Sequence, residues 1–187
     1  MRKRDLAKKL RLPLGFLLAA LYLWLAPGYV TREKLVVGAI IAALGLLVRG
    51  WASGHIMKNQ RLATTGPYAF TRNPLYFGSF LIALGFAVAA HWTLVVLVVA
   101  FWVLIYAPTM LREKGTMMRE FPAEYPEYER NVPAFLPRPT PWRRTGVEGG
   151  SYSFALYMKH GEWKALLGYL FAVAWLTGAL VLRARGA

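Results

Sequence analysis

Arg72, Asn73 and Pro74 stand together in the stretch TTGPYAFTRNPLYFG, residues 64–78, between Tyr68 and Tyr76. Glu113 follows further along, in LREKGTMMRE. Asn73-Pro74 is a helix start by residue type, since Asn is an N-cap residue and Pro is preorganised for the first helical position. A helix beginning there points its unpaired N–H groups and partial positive charge at the preceding loop. Arg72 adds a full cation beside them, and such a site holds an anionic group, for example a carboxylate. Glu113, at the polar end of a helix, offers a partner for an ammonium. Tyr68 and Phe70 supply flat apolar faces. A cation, a helix N-terminus, aromatic faces and a carboxylate together match an amino-acid zwitterion joined to an aromatic base. The same residues also read as structure alone. Gly66-Pro67 is then a turn and Arg72 an interfacial arginine. Tyr68, Tyr76 and Trp92 are belt aromatics, and Glu113 is a solvated helix-end charge. Spacing leaves both readings open.

The elements that must position these residues are apolar helices. Hydrophobic residues make up 57% of the 187-residue chain, too many for an ordinary soluble domain. They come in blocks at 13–30, 35–52, 74–90, 92–111 and 163–182, each about 17–20 residues, the length a helix needs to cross ~30 Å of hydrocarbon. Pro108 breaks the fourth block, and the fifth has a shallow, interfacial placement as its alternative. The expectation is an all-α fold: a polytopic membrane helical bundle of about five transmembrane helices, forming a single integral membrane domain over 1–187. Residues 163–182 are its additional C-terminal helix. The first block is not read as a cleaved signal peptide, because its apolar run is long and no small-x-small site precedes Pro27-Gly28. Arg49, inside the second block, either snorkels to the surface or faces a polar cavity.

The net charge of +14 raises nucleic acid as a partner, but its distribution argues against one. Arg2, Lys3, Arg4, Lys8, Lys9 and Arg11 crowd before the first block. That pattern places the N-terminus in the cytoplasm and favours anionic lipid headgroups there. Counting spans, the 53–73 loop and the 112–162 segment are then cytoplasmic as well. The architecture suggests a prokaryotic inner membrane. The absence of cysteine excludes a disulfide framework, a thiolate nucleophile and a Cys-ligated zinc. His55, His91 and His160 lack metal-ligand spacing. Seven of the nine acidic residues fall between Glu113 and Glu162, so this is the sizeable polar segment. Within it, residues 111–121 extend the fourth helix and PAEYPEYER makes a short helix. VPAFLPRPTP is extended, GVEGG is a flexible joint, and SYSFALYM lies on the membrane surface. Residues 53–76 and 109–137 meet because the third and fourth spans form a hairpin with a very short turn.

LATTGPYAFTRNPLYFGSFLIALGF, followed by REKGTMMREFPAEYPEYERNVPAFLP, resembles the isoprenylcysteine carboxyl methyltransferase family and is similar to the related phospholipid N-methyltransferases. The family pattern is Gly-x-Tyr, Arg-His-Pro-x-Tyr, two helices, a Glu-Glu pair, Phe-Gly, Tyr-x-x-Tyr and Val-Pro. The likeness covers residues 54–137, the methyltransferase motif region. It implies an integral membrane enzyme using S-adenosylmethionine, held in a pocket covered by the cytoplasmic segment. Carried over position by position, the cofactor would be contacted by Gln60, Leu62, Ala63, Tyr68, Asn73, Pro74, Leu75, Tyr76 and Glu113. Arg72 and Glu113 are the catalytic candidates, Arg72 for placing a carboxylate or closing the site. The chain departs from the pattern at Asn73 for histidine, Lys114 for the second glutamate and Pro122 for glycine. It also has Thr109 where eukaryotic carboxyl methyltransferases carry a substrate-contacting arginine.

The chemistry the resemblance implies is in-line transfer of a sulfonium methyl. The protein's tasks are then alignment and exclusion of water. A carboxylate or thiolate acceptor needs no general base, whereas an amine does. A lipidic acceptor enters sideways between helices while the cofactor arrives from the cytoplasm. Carboxyl methyl transfer is the leading reading and phospholipid N-methylation the enzymatic alternative. A non-catalytic membrane scaffold or carrier is the alternative of another class.

Overall fold

The computed structural model describes residues 15–55, 61–143 and 150–186. The described residues form helices and irregular connections without strands. The helices are α1 (Gly15–Gly28), α2 (Arg32–Ser53), α3 (Pro74–Ala90), α4 (Trp92–Glu120), α5 (Tyr125–Asn131), α6 (Phe154–His160) and α7 (Trp163–Gly186). A one-turn 3-10 helix, Gly66–Ala69, precedes α3. Among the described residues, three helices are long and apolar enough to cross a membrane: α2, α4 and α7 from Trp163 to Arg185. α1 and α3 are apolar but shorter. Residues 163–182 therefore belong to a full-length apolar helix. The basic cluster at 2–11, Gln60 and most of GVEGG lie outside the described residues.

The α2–α3 pair is the centre of the fold. Its closeness is set by facing glycines. A Cβ on Gly38 would lie 2.3 Å from the Gly85 carbonyl oxygen, and one on Gly45 would lie 2.5 Å from that of Gly78. Only glycine lets the two backbones meet, and small residues are what apolar helices use to gain packing where solvent supplies no drive. Gly45→Ala is expected to cost about 1–3 kcal/mol, the range for overpacking. Thermal unfolding in detergent checks this, and an unchanged midpoint would contradict the packing.

α7 is fastened along its length. The Trp175 indole N–H donates to the Leu23 carbonyl at 3.0 Å and Arg183 to that of Pro27 at 2.8 Å. Tyr169 donates to the Ala39 carbonyl at 3.2 Å. At the opposite end, Glu162 pairs with Arg49 of α2. Leu176 is fully buried with Ala26, Val30, Leu35, Ala89 and Ala90. α7 thus runs from the end of the bundle carrying Arg49 to the end carrying Pro27.

Proline at 108 does not break α4, as the sequence suggested. The helix widens to a π turn over Trp102–Tyr106 and then runs on through Pro108 to Glu120. A proline removes one N–H and crowds the preceding turn; a wider turn immediately before it accommodates that loss. Trp102 and Tyr106 stack at 4.2 Å across this turn. Arg49 does not snorkel either. It is held between helices by Glu162 and Ser79.

Candidate functional site

The start of α3 and the polar end of α4 converge on one cavity of about 280 Å³. Its walls come from Leu62 and Ala63, the 3-10 turn through Tyr68, Arg72 to Tyr76, one face of α4 from Met110 to Glu120, Phe121 just beyond it, and Tyr125 and Tyr128 of α5. Leu62, Ala63, Tyr68, Arg72, Asn73, Pro74, Leu75, Tyr76 and Glu113 all line it. Among the sequence candidates only Gln60 lies outside the described residues.

The junction of the two halves is a hydrogen bond. The Tyr76 hydroxyl donates to Glu113 Oε1 at 2.6 Å, the short distance typical of a charge-assisted O–H···O⁻ contact. Tyr76 lies in the first turn of α3 because Pro74 occupies that helix's first position. Asn73 holds the N-cap position, but its side chain makes no cap hydrogen bond. Its amide donates instead to the Ala134 carbonyl at 2.8 Å. The expected Asn73 cap is thus corrected: a tertiary contact claims the side chain. The α3 N-terminus is left without a side-chain cap where Asn73, Pro74, Leu75 and Tyr76 line the cavity.

Residues 128–142 close over the 66–73 loop by main-chain hydrogen bonds. Arg72 N–H donates to Pro133 O, Arg138 N–H to Phe70 O and Trp142 N–H to Ala69 O, each at 2.9 Å. Thr71 Oγ1 donates to Phe135 O at 2.9 Å, and the Tyr128 hydroxyl to Tyr68 O at 2.7 Å. The prolines of VPAFLPRPTP keep this stretch extended, which leaves its backbone groups available to another segment. Tyr125, Tyr128 and Val132 are buried at 4, 2 and 1% exposure, on one side of α5 and its exit.

A charged cluster ties α5 to the cavity. Arg72 Nη1 donates to Glu129 Oε1 at 2.8 Å and to the Tyr125 hydroxyl at 2.9 Å, and Lys114 reaches the same Glu129 oxygen at 2.8 Å. Burial alone would raise the Glu129 carboxyl, but the hydrogen bonds and charges of Lys114 and Arg72 hold it below the usual carboxylate range. Because the folded value is the lower one, the contact stabilises above the ordinary glutamate pKa of ~4.3 and is lost as pH falls through the lowered value. At this partly exposed position we expect about 1 kcal/mol or less. Unfolding midpoints in detergent between pH 6 and pH 3 (roughly bracketing that titration) should fall in the wild type. Glu129→Gln should flatten that part of the profile; an identical profile in the variant would contradict the assignment.

Two buried polar atoms at the cavity have no partner among the described residues: the Tyr68 hydroxyl oxygen and Arg72 Nε. Buried polar groups are normally satisfied, so both mark places for a ligand's polar atoms. Burial, then the charges of Glu162 and Glu113, push the Tyr68 hydroxyl above the ordinary tyrosine range, which keeps it a protonated donor. Sequence reasoning did not select Tyr125, Tyr128, Glu129 or Met117. The spacing of Tyr125, Tyr128 and Val132, on one face of a helix, was the available signal.

A family model described as phospholipid methyltransferase matches residues 14–124. The nickel-cobalt-cadmium resistance protein NccN of Alcaligenes xylosoxydans xylosoxydans is 32% identical over 114 residues, 59% of this chain and 53% of that protein. The cobalt-zinc-cadmium resistance protein CzcN of Cupriavidus metallidurans is 32% identical over 117 residues, 62% of this chain and 52% of that protein. The chain spans about half the length of these curated relatives. No solved structure is a significant match.

Proposed function

Because the chain belongs to the phospholipid methyltransferase family, a family of membrane methyltransferases, we propose that it transfers a methyl group from S-adenosylmethionine to a lipidic or membrane-embedded acceptor, as a carboxyl methyltransferase. The observation that carries this reading is the single cavity lined by both halves of the motif region and joined by Tyr76–Glu113. When bound, the cofactor supplies an electrophilic methyl on sulfur. The residues fit it: Glu113 would hold its ammonium, and the α3 N-terminus with Arg72 would hold its carboxylate. The unpartnered Tyr68 hydroxyl offers a donor within the cavity, while Leu62, Leu75 and Met117 supply apolar walls. The chain's own work is to align the reactants and keep water out, which the extended 132–142 cover does over the 66–73 loop.

The acceptor reading meets one departure from the resembled pattern. Thr109, which stands where the resembled carboxyl methyltransferases carry an arginine, accepts a hydrogen bond from Arg112 Nη2 at 2.9 Å. Neither side chain lines the cavity, so the anionic acceptor of the carboxyl reading has to be met by other residues of the site. Phospholipid N-methylation is the alternative within the family. The positively charged N-terminus supports a cytoplasmic site in an inner membrane. The named relatives carry a second reading, in which this chain's methyl transfer serves a metal-resistance system of the membrane.

Purified protein in detergent should bind S-adenosylhomocysteine by calorimetry. It should also move tritium from labelled S-adenosylmethionine into one fraction of a panel holding membrane lipid extracts and a prenylcysteine analogue. Label in ethanolamine lipids alone would replace the carboxyl reading with N-methylation. No binding of either cofactor form would make the chain a non-catalytic scaffold or carrier.

A further inference from the structure

Arg49 of α2 carries a charge into an apolar helix, and three elements meet on it. Its Nε and Nη2 donate to Glu162 Oε2 and Oε1, each at 2.8 Å, and its Nη1 donates to the Ser79 hydroxyl of α3. Ser79 in turn donates to the Leu75 carbonyl at 2.8 Å. Leu75 and Tyr76 line the cavity, and Tyr76 holds Glu113. A continuous chain of hydrogen bonds thus runs from Glu162 to the turn of α3 that faces the cavity. Glycine at 78 leaves room for it, since a Cβ there would lie 2.7 Å from Arg49 Cγ.

Glu162 is itself held in place. Ser153 N–H donates to Gly54 O at 2.9 Å, and His160 Nδ1 lies 3.0 Å from Ser53 O. These contacts hook the 153–160 stretch to the C-terminal end of α2. Gly161, at φ +70°, then reverses the chain, a conformation that a side chain would strain, and delivers Glu162 to Arg49 just before α7 begins. The Glu162 and Arg49 side chains are 12 and 25% exposed. A pair desolvated to this degree is held by geometry, and removing one partner leaves an uncompensated charge among apolar neighbours. Glu162 lies outside the residues matched by the family, so this device belongs to the C-terminal part of the chain.

We propose that Glu162, acting through Arg49 and Ser79, is a positioning residue for the first turn of α3, so that the C-terminal segment sets the geometry of the cofactor cavity. This rests on the methyltransferase reading for its functional consequence, but the positioning itself has a readout of its own. In Glu162→Gln the fork to Arg49 loses its charge. Arg49→Lys keeps a cation and loses the fork together with the link to Ser79. A tenfold change in affinity is only ~1.4 kcal/mol, the scale of one displaced hydrogen bond, and we expect both variants to lose about tenfold or more in affinity for S-adenosylhomocysteine. Amide exchange should rise in peptides covering 72–80 and stay at the wild-type level over 81–90. Glu162→Asp, which keeps the charge, should recover part of both.

The outcomes separate cleanly. Wild-type affinity together with wild-type exchange over 72–80 in Glu162→Gln and Arg49→Lys overturns the proposal. So does a uniform rise in exchange across α2, α3 and α7, which would reduce the pair to general packing. If Glu162→Gln does not fold, Arg49→Lys and Glu162→Asp decide by the same two measurements. If the wild type fails to bind S-adenosylhomocysteine, the methyltransferase reading fails and the exchange profile alone decides the positioning.

Discussion

Glutamine in place of Glu113 should weaken binding of S-adenosylhomocysteine by roughly 10–150-fold, which is the ~1.5–3 kcal/mol of a hydrogen bond to a charged group. The substitution keeps the shape and one acceptor oxygen, so the loss isolates the charge. Glu113 lies on an exposed face of α4 and packs little, so insertion and unfolding midpoint should stay near those of the wild type. Tyr76→Phe is the companion measurement. It leaves the carboxylate and its charge and deletes only the hydroxyl that orients it at 2.6 Å, so its effect on the ligand is indirect. The order of effects is diagnostic. A larger loss in Glu113→Gln than in Tyr76→Phe assigns the carboxylate to the ligand's ammonium and the tyrosine to orienting it. Wild-type affinity in both variants would remove the cavity from the cofactor assignment.

The sequence disclosed the site better than it disclosed what closes it. Arg72, Tyr76 and Glu113 were legible because turn residues, a helix start and a helix end are local signals. Tyr76 and Glu113, 37 residues apart, then meet because α3 and α4 are successive antiparallel helices joined at His91. The short helix in PAEYPEYER was legible as well, and appears as α5. What could not be read were contacts decided between segments. Asn73 has the composition of a cap, yet its amide is taken by Ala134, because the extended 132–137 stretch lies against it. Pro108 has the composition of a break, yet the π turn at Trp102–Tyr106 absorbs it. Arg49 has the composition of a snorkelling charge, yet a carboxylate 113 residues away reaches it. In each case the local rule named the residue correctly and a partner distant in sequence chose its role. The facing glycines of α2 and α3 mark the opposite case, in which a local tolerance became the closest contact of the fold.

Arg72→Ala should have the largest effect on the cover. Arg72 gives α5 two hydrogen bonds and places its guanidinium 5.8 Å from the Tyr125 ring centre. With alanine, Glu129 keeps only Lys114, whose side chain is 43% exposed. The partly exposed ion pair contributes about 1 kcal/mol or less, and the lost hydrogen bond to Tyr125 about 0.5–1.5 kcal/mol more, so we expect about 1–2 kcal/mol in all. The Arg72 backbone N–H still holds Pro133 O, so the extended stretch should remain nearby while α5 loosens. Limited proteolysis of the 121–143 region, read beside the unfolding midpoint, measures that loosening. A double-mutant cycle with Glu129→Gln then divides the two roles open to Arg72. If the guanidinium only fastens the cover, Arg72→Ala and Glu129→Gln will be strongly non-additive in stability, and both will weaken S-adenosylhomocysteine binding alike. If its buried, unpartnered Nε also meets the ligand, Arg72→Ala will lose affinity that Glu129→Gln does not. Arg72→Lys will not restore that affinity, since an ammonium lacks both the fork and the reach of the guanidinium.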